Sequence, residues 1–180
     1  MKITRDLCPG HDYIWARIVS RITFLEGFHM VKFEELKDMA DAWATEFSDA
    51  INASTHYARS AKKWGVDFDG SMIFVFQASG EIEEDFSIFL DLQAGKCLSI
   101  QVLAPGEEPP RVAPMVISAP MSTWKRVIFK EIDPVAALMQ KELNLVGEMS
   151  LVMRYAQASV DLVNATEQTD RSLFTNYDLG

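Results

Sequence analysis

Between residues 72 and 102 the apolar side chains recur at every second position, and this restricts the fold more than any other feature of the chain. Met72, Phe74, Phe76 and Ala78 alternate with Ile73, Val75 and Gln77. Phe86, Ile88, Leu90 and Leu92 alternate with Ser87, Phe89 and Asp91, and Leu98, Ile100 and Val102 with Cys97, Ser99 and Gln101. A period of two sends neighbouring side chains to opposite faces of a pleated strand. Ser79-Gly80 and Ala94-Gly95-Lys96 interrupt the pattern, and turns this short join antiparallel neighbours. Val75 and Phe89 fall on the face opposite the main apolar stripe, so the second face of this sheet is predicted to be partly covered as well.

On either side the period is helical. Phe33, Leu36, Met39, Trp43, Phe47 and Ile51 step by three or four, with Glu34, Glu35, Lys37, Asp38, Asp41 and Glu46 on the other faces. Asn52 to Ser60 continues as helix or loop. The stretch from Pro105 to Pro110 reads as an exposed loop. Val112 to Ser118 is predicted as a fourth strand at or near an edge, because Pro114 has no N–H to donate. Ser122 or Thr123 can cap a helix containing Trp124, Val127 and Ile128. Asp133-Pro134 opens another through Leu138 and Met139. Leu143 to Val146 reads as a short fifth strand ended by Gly147. Glu148 then sits at the positive start of a long helix running to about Asn164. This order predicts an α+β fold, a five-stranded mostly antiparallel sheet covered by helices.

Three segments are expected: an N-terminal helical extension over 1–30, a main domain over 31–164, and a polar C-terminal tail over 165–180. Within 12–28, Ile14, Trp15, Ile18, Val19, Ile22 and Leu25 form a stripe flanked by Arg17 and Arg21. Such a stripe packs on its own domain or on a second copy, as in a homodimer, or makes transient contact with a membrane surface or a partner enzyme. In the tail, Leu173, Phe174 and Tyr177 are candidate docking points.

Composition narrows the function. A net charge of −9 opposes binding to phosphate backbones, so no nucleic-acid partner is expected. Two cysteines, Cys8 and Cys97, form no disulfide framework. No secretory leader and no apolar run of about 18 residues is visible, which makes the cytoplasm the expected location. The three histidines, His11, His29 and His56, have no second ligand at metal-binding spacing. Cys8 and His11 would make half a zinc site with no other half. There is no G-x-S-x-G elbow and no phosphate-cradling glycine loop. Glu81, Glu83, Glu84 and Asp85 read as a solvated turn rather than an acid–base pair. No enzymatic role, cofactor or metal is expected.

What remains is apolar surface. Met149, Val152, Met153, Ala156 and Val160 give the last helix a soft face. Opposite stand Phe74, Phe76, Phe86, Ile88, Leu90 and Ile100, with Trp124 either anchored in the core or at a mouth. The residues alone allow two readings: a filled core, or the lining of a ligand pocket.

The segment Leu143-Asn144-Leu145-Val146-Gly147-Glu148-Met149-Ser150-Leu151-Val152-Met153 resembles a signature of the sterol carrier protein-2 family. Val116-Ile117-Ser118-Ala119-Pro120 with Trp124-Lys125, and then Ile132-Asp133-Pro134, resemble the edge strand, tryptophan helix and following short helix of its bacterial and archaeal members. The similarity covers about residues 35–164. It implies a tunnel between sheet and helices for a lipid or fatty acyl ligand: a fatty acid, acyl-CoA, sterol or other long apolar molecule. It also implies passive binding or transfer without catalysis. The alternative is an accessory or regulatory module that presents an acyl ligand to a partner enzyme, or one whose pocket is filled.

Overall fold

A computed structural model describes residues 30–175 of the chain. The expected helix at 12–28, Cys8, His11, His29 and Tyr177 lie outside them.

Helix α1 spans Phe33–Ala53, and its stripe of Phe33, Leu36, Ala40, Trp43, Phe47 and Ile51 is buried. Helix α2, Thr55–Ser60, starts where the Ser54 hydroxyl accepts from the Tyr57 N–H. The sheet contains β1 (Met72–Gln77), β2 (Phe86–Gln93), β3 (Lys96–Leu103), β4 (Met115–Pro120) and β5 (Asn144–Val146). Their order is β3-β2-β1-β4-β5. β1–β2, β2–β3 and β4–β5 run antiparallel, and β1–β4 runs parallel. The parallel pair follows from the crossover through the loop after β3, which returns the chain to the opposite side of β1. The β2–β3 hairpin turns on Ala94 (φ 50°) and Gly95 (φ 77°). A Cβ on Gly95 would lie 2.7 Å from the backbone of Ala58, so both its conformation and the approach of α2 require glycine.

The remaining helices are α3 (Met121–Ile128), α4 (Pro134–Met139), α5 (Met149–Arg154) and α6 (Ala156–Ala165). Asp133 caps α4 by accepting from the N–H groups of Val135 and Ala136, each at 2.9 Å. Short 3₁₀ turns at Thr166–Gln168 and Ser172–Phe174 follow.

The register assigns the two faces. Met72, Phe74 and Phe76 pair with Leu90, Ile88 and Phe86 and with Met115, Ile117 and Ala119, all on the helix side. The outer face carries a small separate cluster of Phe89, Leu103 and Ala113 with Ile73. There Arg111 lies over the Phe89 ring (5.4 Å) and bridges Asp91 (2.7 Å) and Asp69 (3.3 Å), holding the proline-rich loop against the sheet.

Three expectations shift. The fourth strand begins at Met115, not Val112. Pro114 precedes the ladder instead of interrupting it, Val112 is exposed, and β5 takes the edge. The expected single helix from Glu148 to Asn164 is broken at Tyr155 (φ −110°, ψ 30°). Tyr155 is drawn aside there: its hydroxyl donates to the Lys63 carbonyl (3.2 Å) and its ring packs on Trp64 and Phe68. Lastly, Leu173 and Phe174 are part of the main core. Each is 1% exposed, and Phe174 stands edge-on to Trp43.

Candidate functional site

Between the helix side of the sheet and α3–α6 lies an apolar cavity of about 70 Å³. Each wall follows from a local pattern. The α1 stripe supplies Trp43 and Phe47, and the inward register positions of β1 and β4 supply Met72, Phe74, Phe76 and Ile117. Helix α3 adds Trp124, Val127 and Ile128. The far wall is made by Pro134 and Leu138 of α4, Leu143, Val152 of α5, and Ser159, Leu162 and Val163 of α6, with Thr166 at its end.

The sheet-side wall is tied by rings. Trp43 stacks on Phe47 at 4.7 Å, Phe76 on Phe86 at 4.7 Å, and Trp124 lies 5.0 Å from Phe74 and 5.2 Å from Phe76. Trp124 is anchored as well as lining the cavity, since its indole N–H donates to the Val75 carbonyl at 2.9 Å. The Trp43 indole N–H is different: it is buried without a hydrogen-bond partner. A buried donor left unpaired costs roughly 1–3 kcal/mol. Thr166 spends its hydroxyl on the Val163 carbonyl at 2.7 Å.

The far wall is thin. Leu138, Leu143 and Val152 are buried, yet Met139, Met149 and Met153 on the same short helices are 62%, 36% and 46% exposed. Val152 therefore faces the cavity from a six-residue helix whose Met149 and Met153 face solvent. Gly147 (φ 138°) sets the entry to that helix, and a Cβ there would meet the Pro114 carbonyl at 2.7 Å.

Of the residues picked from sequence, Phe74, Phe76, Trp124 and Val152 line this cavity. Phe86, Ile88 and Leu90 are buried on the same sheet face beside it, and Ile100 is half-buried on β3. Met149 and Met153 face outward, while Ala156 and Val160 are half-buried. The inward stripe of the last segments runs through 152, 159, 162, 163 and 166, while Tyr155 turns aside to Lys63, Trp64 and Phe68. Ser159 and Thr166 interrupt its polarity, so choosing the apolar positions alone selects the neighbouring stripe. Trp43 and Phe47 carry a signal, being on the strongest helical stripe, but nothing in sequence distinguishes a lining residue from a packed one.

Among the described residues no group of three or more His, Cys, Asp or Glu could hold a metal ion, and no helix is long and apolar enough to cross a membrane. The free Cys97 is buried, and that burial pushes its thiol up from the ordinary range.

Comparison with known proteins agrees with the architecture. Residues 73–159 match the family model described as the SCP-2 sterol transfer family. A crystal structure of sterol carrier protein 2 superposes with a TM-score of 0.63 at 26% identity, covering 72% of this chain and 96% of the other. The solution structure of a conserved hypothetical protein from Thermus thermophilus, described as possibly a sterol carrier protein, gives a TM-score of 0.62 at 27% identity, covering 72% and 87%. No curated protein matches the sequence. The resemblance stated from sequence and the α+β fold class are thus shown.

Proposed function

We propose, for a chain whose central domain is sterol carrier protein 2-like, that the cavity receives the apolar part of a long-chain lipid. Binding is non-catalytic, and the bound molecule can be passed on. The observation that carries this reading is the cavity itself, an apolar space lined almost wholly by carbon between two walls of unequal thickness. At about 70 Å³ it is smaller than the roughly 300–1,000 Å³ of ordinary small-molecule sites, so a chain of many methylenes enters only as the far wall moves outward. Each buried methylene contributes about 0.8 kcal/mol, enough over a long chain to offset displacing three short elements. A fatty acid or its thioester supplies such an unbranched tail.

Native mass spectrometry of the purified protein, followed by organic extraction, tests the reading. A stoichiometric long-chain lipid is expected. A clean unliganded mass, together with failure to bind a fluorescent fatty acid, would move the protein to the alternative of an interaction module with a filled pocket.

A further inference from the structure

The thin wall of the cavity lies beside an unbalanced patch of positive charge. In a chain of net charge −9, residues 55–66 contain Arg59, Lys62 and Lys63 and no carboxylate, and residues 149–160 contain Arg154 and no carboxylate. All four cations are exposed and, among the described residues, none makes an ion pair. The two segments are neighbours: Tyr155, next to Arg154, donates its hydroxyl to the Lys63 carbonyl at 3.2 Å and packs on Trp64 at 5.3 Å. Apolar side chains stand among the charges. Val66 is 54% exposed, and Met149 and Met153 of α5 are 36% and 46% exposed. Asp67 and Glu148 flank the patch. Of the other described acids, Asp161 is buried on α6 near the start of α2 and accepts from the Gln157 amide; the rest lie on α1, beside Arg111, on the turn before β2, on the loop after β3, around α4 and at the 3₁₀ turns.

We infer that this surface, from the end of α2 across α5, docks on an anionic lipid bilayer. Cations alone would suit any polyanion, but methionines and a valine exposed between them have no counterpart on a soluble one. At a bilayer the cations meet headgroup phosphates while the apolar side chains enter the acyl boundary. The occupant is thus chosen by charge complementarity and by apolar exposure at one place. The placement has a consequence: the element that touches the bilayer is the one whose inner face, at Val152, closes the cavity. Insertion of Met149 and Met153 would draw α5 outward and give an acyl chain a route from bilayer to cavity without crossing water. The docking rests on the surface; the route rests in addition on the carrier reading.

The test is partition of the full-length chain onto phosphatidylcholine vesicles with and without phosphatidylglycerol. The wild type is expected to bind the anionic vesicles and to release in high salt. Reversing three charges together, Arg59→Glu, Lys62→Glu and Lys63→Glu, should weaken binding by at least about tenfold, because each basic residue near an anionic surface contributes roughly a factor of five. Met149→Ser with Met153→Ser should weaken it further at constant charge. All five positions are solvent-exposed, and binding of a fluorescent fatty acid in solution checks that each variant still folds and loads. Unchanged partition of the triple variant would overturn the inference, since attachment would then come from another part of the chain such as residues 12–28. Equal binding to neutral vesicles would overturn it too. A wild type that partitions as expected but loads no fatty acid would leave the docking surface standing and remove the carrier reading.

Discussion

Trp43, Phe47, Phe76 and Trp124 close one side of the cavity; Leu138, Leu143, Val152 and Leu162 close the other. The first set belongs to a 21-residue helix, a central strand and an anchored tryptophan, joined by stacked and edge-on rings and backed by Phe86 and Phe174. The second belongs to two six-residue helices, the residue before a three-residue edge strand and the later half of α6, with exposed methionines on α4 and α5. Helices this short are not stable by themselves and depend on the contacts of one face. Segments with few buried contacts are the ones that open locally at low cost. A ligand therefore gains room on one side: the aromatic wall sets the shape of the site and the methionine wall yields.

Substitutions distinguish the two walls. Phe76→Ala removes a side chain 1% exposed that touches Phe86, Trp124 and Phe174, and should cost about 3–5 kcal/mol in urea denaturation. A cost below that of a yielding-wall truncation such as Val152→Ala would reverse the assignment of the walls. Val152→Phe should do the opposite. It overfills the cavity from the thin side at about 1–3 kcal/mol, and it should abolish fluorescent fatty-acid binding while the far-ultraviolet spectrum is kept. Alkali should act first on the packed side, where burial pushes the Tyr57 phenol and the Cys97 thiol up from their ordinary values. Raised folded-state values mean that the native state favours the neutral forms. Their contribution is complete below the unfolded values of about 8.5 for thiol and 10 for phenol, and declines as pH rises beyond them. Denaturation midpoints followed upward from pH 8 should fall, and replacing Cys97 by Ala should remove the earlier part of that fall. The smallest effect is expected outside the yielding wall: Met139→Ser should change stability by no more than about 0.5 kcal/mol, because the side chain is already largely in water.

Much of the packed side is legible in the sequence. The alternation over 72–102 marks β1 to β3, and the inward residues of β1 and β2 follow from the period alone; in β3 a register shift at Asp91/Leu92 buries Cys97 and leaves the expected Leu98 58% exposed. The helical stripe from Phe33 to Ile51 does the same for α1. The yielding side is harder to read. The break at Tyr155 depends on Lys63, Trp64 and Phe68, some ninety residues earlier, and no local signal marks it. The inward stripe of α5 and α6 includes Ser159 and Thr166, so polarity conceals it. Leu173 and Phe174 sit in a polar stretch, and only the tertiary structure shows that they complete the core around Trp43. Pro114 marks the start of a strand and not an edge, and a missing N–H has the same sequence signature in either place.

The most direct test of the two-wall account is amide hydrogen exchange of the protein with and without a bound long-chain fatty acid. Unliganded residues 134–163 should exchange faster than β1 and β2, and loading should change protection chiefly in that segment. Uniform protection across the domain, or a change concentrated in β1, β2 and α1, would contradict it.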